Sequence, residues 1–201
     1  MANFLAPKGF IPSRHMSGGT PGRTNDYLIA SGHAENIFTG DAVASNGNGG
    51  IRLATAADAI LGIFGGVDFI DPNGETRMQA YWTSGQTILA GSIATARVMD
   101  DPDALFKVQT TGSLDAAEVG QLVNIDPATA GSSTFGLSGM AVTGATGAEN
   151  QWRVMRILET PERDSAGIIE NTTGGTNAWV EVMCANHEFR RAAVAASSLE
   201  Q

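Results

Sequence analysis

A catalyst needs a nucleophile, a base or a set of metal ligands held together, and this 201-residue sequence offers few candidates. Its histidines, His15, His33 and His187, never stand four residues apart, the spacing that holds zinc on a metalloprotease helix. Ser17, Ser84, Ser113 and Ser138 lie near glycines, but none completes the G-x-S-x-G elbow that would expose a nucleophile. The single cysteine, Cys184, falls on the inward phase of an apolar segment, where a thiol acts as a small hydrophobe. One cysteine also excludes a disulfide scaffold and a cysteine-based zinc cage. The run Asp100-Asp101-Pro102-Asp103 could hold a hard cation such as calcium, with Asp126 or Asp71 beside it. Its spacing is not that of an EF-hand loop, and a turn in which aspartates cap the backbone and Pro102 fixes φ accounts for it. The glycines of GIFGG at 62–66 sit in a strand-like run with no lysine or helix after them, so they cradle no phosphate. Trp82, Trp152 and Trp179 could stack on sugars or bases, yet each lies on a strand-like segment, which favours packing. The expectation is a protein that is not an enzyme and carries no cofactor.

Composition points the same way. Charged residues are 16% of the chain and hydrophobic ones 42%, with 25 glycines against seven prolines. Such a mixture suits many turns between short strands, and the length is enough for one well-cored domain. The net charge of -9 disfavours nucleic acid as the main partner, because phosphates would be repelled. No apolar run is long enough for a membrane helix, and MANFLAPKGFIPSR, broken by prolines, does not read as a secretion signal.

The elements that must position any site fall into three parts. Residues 1–26 read as an extended arm, with prolines at 7, 12 and 21 and no strand or helix period. Lys8, Arg14 and Arg23 against Asp26 give it +2, which leaves -11 for the remainder. Phe4, Leu5, Phe10 and Ile11 are more apolar surface than a solvated tail needs and suit a groove on another subunit. These four residues with Lys8, Arg14 and Arg23 are the candidate contacts to a partner subunit. Residues 27–190 read as a β-rich body, and 191–201 as a short tail. In the body, NGNGG at 46–50 is a hairpin loop, and Ile60 to Trp82 reads as a hairpin closed by a turn at Asp71-Pro72-Asn73-Gly74. Glycines 65 and 66 mark a bulge or a close backbone approach. Further strands are expected at Tyr27 to Ser31, Ala42 to Ser45, Ile88-Leu89, Ser92 to Met99, Leu105 to Thr110, Val119 to Ile125, Trp152 to Leu158 and Ala178 to Cys184. The fold class is all-β, a sandwich or barrel of about ten short antiparallel strands with an extended N-terminal arm.

Certain segments carry a resemblance. The Pro/Gly-rich arm, IFTGDAV at 37–43, GIFGGV at 62–67 with Tyr81-Trp82, ARVMDDP at 96–102 followed by Phe106 and Gln109, and WVEVMCANHEFR at 179–190 are together similar in layout to the tailed-bacteriophage capsid decoration (cement) proteins. That resemblance spans roughly residues 27–190 and implies a structural virion protein. Such a protein binds the outside of an icosahedral head, commonly as a homotrimer, and stabilises contacts between major capsid protein subunits. Its location would be the capsid surface, after assembly in the host cytoplasm, with no nucleic acid or membrane partner. The alternative is a carbohydrate- or receptor-binding β module of a phage tail or fibre, dependent on Trp82 or on an ion at the DDPD turn.

Overall fold

A computed structural model describes residues 5–127, 131–144, 150–158 and 175–190. Among these the chain forms fifteen strands, as the all-β reading expects. They are β1 (Ile11–His15), β2 (Asn25–Ile29), β3 (Ile37–Phe38), β4 (Ala42–Ser45), β5 (Ile51–Leu53), β6 (Gly62–Ile70), β7 (Thr76–Gln79), β8 (Tyr81–Trp82), β9 (Ala94–Met99), β10 (Ala104–Gln109), β11 (Leu122–Val123), β12 (Ile125–Asp126), β13 (Ala141–Val142), β14 (Trp152–Ile157) and β15 (Trp179–Cys184). The first sheet runs β1-β10-β15-β14-β11 and the second β2-β9-β6-β4-β5, with β7 beside the second half of β6. Ribbons β3-β8 and β12-β13 complete the set. The second sheet curls on itself, because Leu28 of β2 bridges Gly50, just ahead of β5.

Local chemistry explains the turns. The Asn46 N–H donates to the Gly50 carbonyl at 2.9 Å and joins β4 to β5, and the Gly74 N–H donates to Asp71 at 2.9 Å and joins β6 to β7. Alternation explains the faces. Ala94, Ala96 and Val98 of β9 are buried, while Thr95, Arg97 and Met99 stay half-exposed.

Two cores result, with β4 and the start of β6 as their common wall. Ala42, Ala44 and Ile63 face a first core shared with Phe10, Phe106, Val108, Trp152, Val180 and Val182. Val43 and Phe64 face a second, inside the curled sheet, with Ile29, Ile51, Trp82, Ala96 and Val98. A bulge then changes the phase of β6. Phe64 pairs with Val98 and Gly66 with Arg97, so Gly65 is the extra residue, and Val67 and Phe69 now face the second core. Gly66 has φ +139°, and a Cβ there would lie 3.1 Å from the Gln79 carbonyl oxygen, while one at Gly62 would run into that of Met99.

The structure corrects several details. The arm does not stay apart from the body: β1 pairs with β10, and Phe10, 1% exposed, stacks on Trp152 at 4.4 Å between ring centres. Its prolines hid a strand that tolerates them, because β1 is an edge and Ser13 forms a bulge between Pro12 and Arg14. The next strand begins at Asn25, inside the same segment. Ile88-Leu89 forms no strand, and Ile60 precedes β6 and bridges His187. Phe4, the tail 191–201 and most of the loop at 161–177 lie outside the described residues.

Replacing Phe10 by Ala should cost about 3–5 kcal/mol in urea unfolding, the usual loss for a buried ring. Leu5→Ala, at a position 45% exposed, should cost under about 0.5 kcal/mol. Equal, small effects would return Phe10 to a detached arm.

Candidate functional site

The largest concentration of chemistry is on the outer face of the first sheet, and strand register builds it. Inward residues of β10 and β15 line the first core, so Leu105, Lys107, Trp179, Glu181 and Met183 take the opposite face. Pairing sets Ile11, Lys107, Glu181 and Arg156 in one row across four strands, and Arg14, Leu105, Met183 and Arg153 in the next. Glu181 therefore sits among four cations contributed by three other strands.

Two of those cations close over it. Arg14 donates from Nη2 at 2.7 Å, Arg156 from Nε at 2.8 Å and Ser13 from Oγ at 2.7 Å. The Glu181 side chain is 0% exposed, whereas Arg14 and Arg156 remain 53% and 52% exposed. Burial pushes the Glu181 carboxyl up, but the donors from Arg14, Arg156 and Ser13 outweigh it and hold the group at about 2. Bulges at Ser13 in β1 and Met155 in β14 help place these donors. Lys107 and Arg153 stay exposed, and the Arg153 guanidinium donates to the Gly120 carbonyl at 2.6 Å.

The residues singled out in the arm divide accordingly. Ile11 (38% exposed) and Arg14 belong to this face, while Leu5, Lys8 and Arg23 are exposed. Phe10 is core. Lys107, Arg153, Arg156 and Glu181 were missed; outward phase in alternating strands was the available signal for Lys107, Arg153 and Glu181, whereas Arg156 reaches this face only through the bulge at Met155.

Other constellations are weaker. Ser17 Oγ lies 2.7 Å from His15 Nδ1, and His15 Nε2 lies 3.1 Å from Asp101, so a serine, a histidine and a carboxylate do form a chain. It sits on an exposed turn, and the Ser17 backbone N–H also donates to Nδ1, at 3.2 Å. That fixed donor makes Nδ1 an acceptor and puts the ring proton on Nε2, toward Asp101. The same assignment weighs against a cation held by His15, Asp101 and Asp103, whose ligand atoms come within 4.8 Å of one another, and Asp103 is already paired with Arg190. The remaining aspartate of that turn, Asp100, is buried and accepts from Asn25 and Tyr27.

Three more groups are enclosed. Burial pushes the Cys184 thiol up to about 12, so no thiolate forms near neutrality. Asp41 accepts from Ser138 Oγ at 2.5 Å and from the Phe38 N–H at 2.7 Å, beside a cavity of about 210 Å³ lined also by Glu35, Phe38 and Met140. Burial raises Asp41 to about 6. Trp82 and Trp152 are buried and Trp179 is half-buried, so the carbohydrate reading loses Trp82 as an exposed platform.

Two measurements probe these groups. The stability that Glu181 contributes is complete above its ordinary value of 4.5 and is lost as pH falls toward about 2, because the unfolded chain binds that proton first. Glu181→Gln should cost about 2 kcal/mol at neutral pH and flatten that part of the acid limb in urea titrations; an unchanged pH profile would contradict the clamp. On an activated ester such as p-nitrophenyl acetate, Ser17→Ala should leave the rate unchanged. A rate abolished by Ser17→Ala would make the His15 turn an active site.

Compared with models of known families, curated proteins and solved structures, the chain matches none.

Proposed function

We propose that this chain is a structural binding protein of a tailed-phage head, holding the outer capsid surface and bracing contacts between major capsid protein subunits. It works by adhesion and not by turnover. The observation that supports this reading most is the outer face of the first sheet. Strand pairing sets the backbone positions of four cations, Ile11 and Met183, and Glu181 holds Arg14 and Arg156 while the Gly120 carbonyl holds Arg153, so those three have less side-chain freedom to lose on docking.

The mode of action follows from copy number. A homo-oligomer, such as a trimer, presents several such faces at once, and linked contacts raise avidity far above that of one face. The edge strand β1 carries Pro12 and a bulge, which discourage indiscriminate strand pairing between copies.

Deleting residues 2–22 is not a clean test, because it removes Phe10 and β1 along with the exposed residues. The intact protein should instead co-sediment with phage heads that lack their decoration protein and make them more resistant to heat. A folded protein that stays in the supernatant beside such heads would overturn the reading.

A further inference from the structure

The charge on the outer face of the first sheet runs against the rest of the molecule. Arg14, Lys107, Arg153 and Arg156 are a third of the chain's 12 lysines and arginines, and Glu181 is the carboxylate among them. The face therefore carries a net +3, which leaves -12 for the remainder of a chain whose total is -9. Arg14 and Arg156 are only partly consumed by Glu181, since each is more than half exposed. Lys107 and Arg153 form no ion pair with a described residue.

We infer that this face docks on a carboxylate-rich protein surface and that the charge asymmetry sets which way round the protein lands. The inference rests on the head-binding reading for the identity of that surface, which would be an acidic patch of the major capsid protein. Two physical points carry it. The remainder of the chain is acidic in sum, so an acidic surface attracts this face while the net charge opposes approach, and attraction and orientation come from the same residues. Arginine forks also match carboxylates in bidentate geometry, and the strand grid fixes where those forks stand. A second copy of this chain cannot pair through the same face, because that sets +3 against +3. Exposed Ile11 among the cations suits a protein surface better than a run of phosphates.

The test reverses the two cations that take no part in the clamp, in Lys107→Glu/Arg153→Glu. Urea unfolding first checks that the variant keeps its stability, since Arg14, Arg156 and Ser13 still hold Glu181. Both proteins are then passed over immobilised poly-glutamate, over immobilised duplex DNA, and mixed with undecorated heads, at about 50 mM and about 500 mM salt, where screening differs strongly. The wild type should be retained on poly-glutamate at low salt and released at high salt, and the variant should bind at least about tenfold more weakly. The gap between them should nearly close at high salt, and neither should be retained on DNA. Equal retention of the two proteins on poly-glutamate overturns the inference, even where both bind heads and the head reading stands. Wild-type retention on DNA above that on poly-glutamate overturns it too, as does a low-salt oligomer that the variant abolishes while still binding heads. Heads that ignore the wild type, with poly-glutamate retention intact, remove the head reading and leave the carboxylate inference in place.

Discussion

Double burial of one short wall governs this structure. β4 and the beginning of β6 have no solvent face, because Ala42, Ala44 and Ile63 pack one way while Val43 and Phe64 pack the other. A charge there would have to be stripped of water without a partner, which proteins avoid. Small residues also let the first sheet come close to the curled one. The bulge at Gly65 ends the shared stretch, after which β6 again alternates between the second core and the outside. No titratable side chain stands on this wall, and the ion pairs lie off it, as at Glu181, Asp103 and Asp58.

Away from that wall, what separates a binding surface from a reactive one is access and positioning. Ser17, His15 and Asp101 are correctly spaced for proton transfer, but their turn is open to water and the Nδ1 lone pair is shared with a backbone donor. Asp41 and Ser138 are enclosed and also accept from the backbone N–H groups of Phe38 and Met140, which ties them to holding the chain. The Glu181 cluster is fully neutralised at its centre and charged at its margin, an arrangement suited to holding another surface and not to moving protons.

Legibility in the sequence followed the range of the interaction. Local signals were accurate: NGNGG and DPNG are the turns they resemble, and the alternations at 94–99 and 179–184 name the buried faces. Gly65 and Gly66 mark both a bulge and a close approach. The arm misled because prolines veto a central strand but not an edge strand with a bulge. Phe10 could not be assigned to the core without knowing that Trp152 waits for it. For the binding face, Ile11 and Arg14 were picked out from the arm's charge and apolarity. Lys107, Arg153 and Arg156 are unremarkable as single letters and become neighbours only through register. The phase of Glu181 was readable, opposite Val180 and Val182, but its burial was not, since its cover comes from Arg14, 167 residues away, and Arg156, 25 residues away.

The separation between Arg14 and Glu181 also bears on how the molecule is made. β1 leaves the ribosome early and its partner β10 much later, while the carboxylate that locks the pair is on the last described strand. A growing chain must therefore keep Phe10 and an unpaired strand waiting until β10 and then β15 are made, and loop closure over that span is entropically slow. Until that closure an apolar ring and an unpaired strand edge stay available to other chains, which is the exposure that favours aggregation.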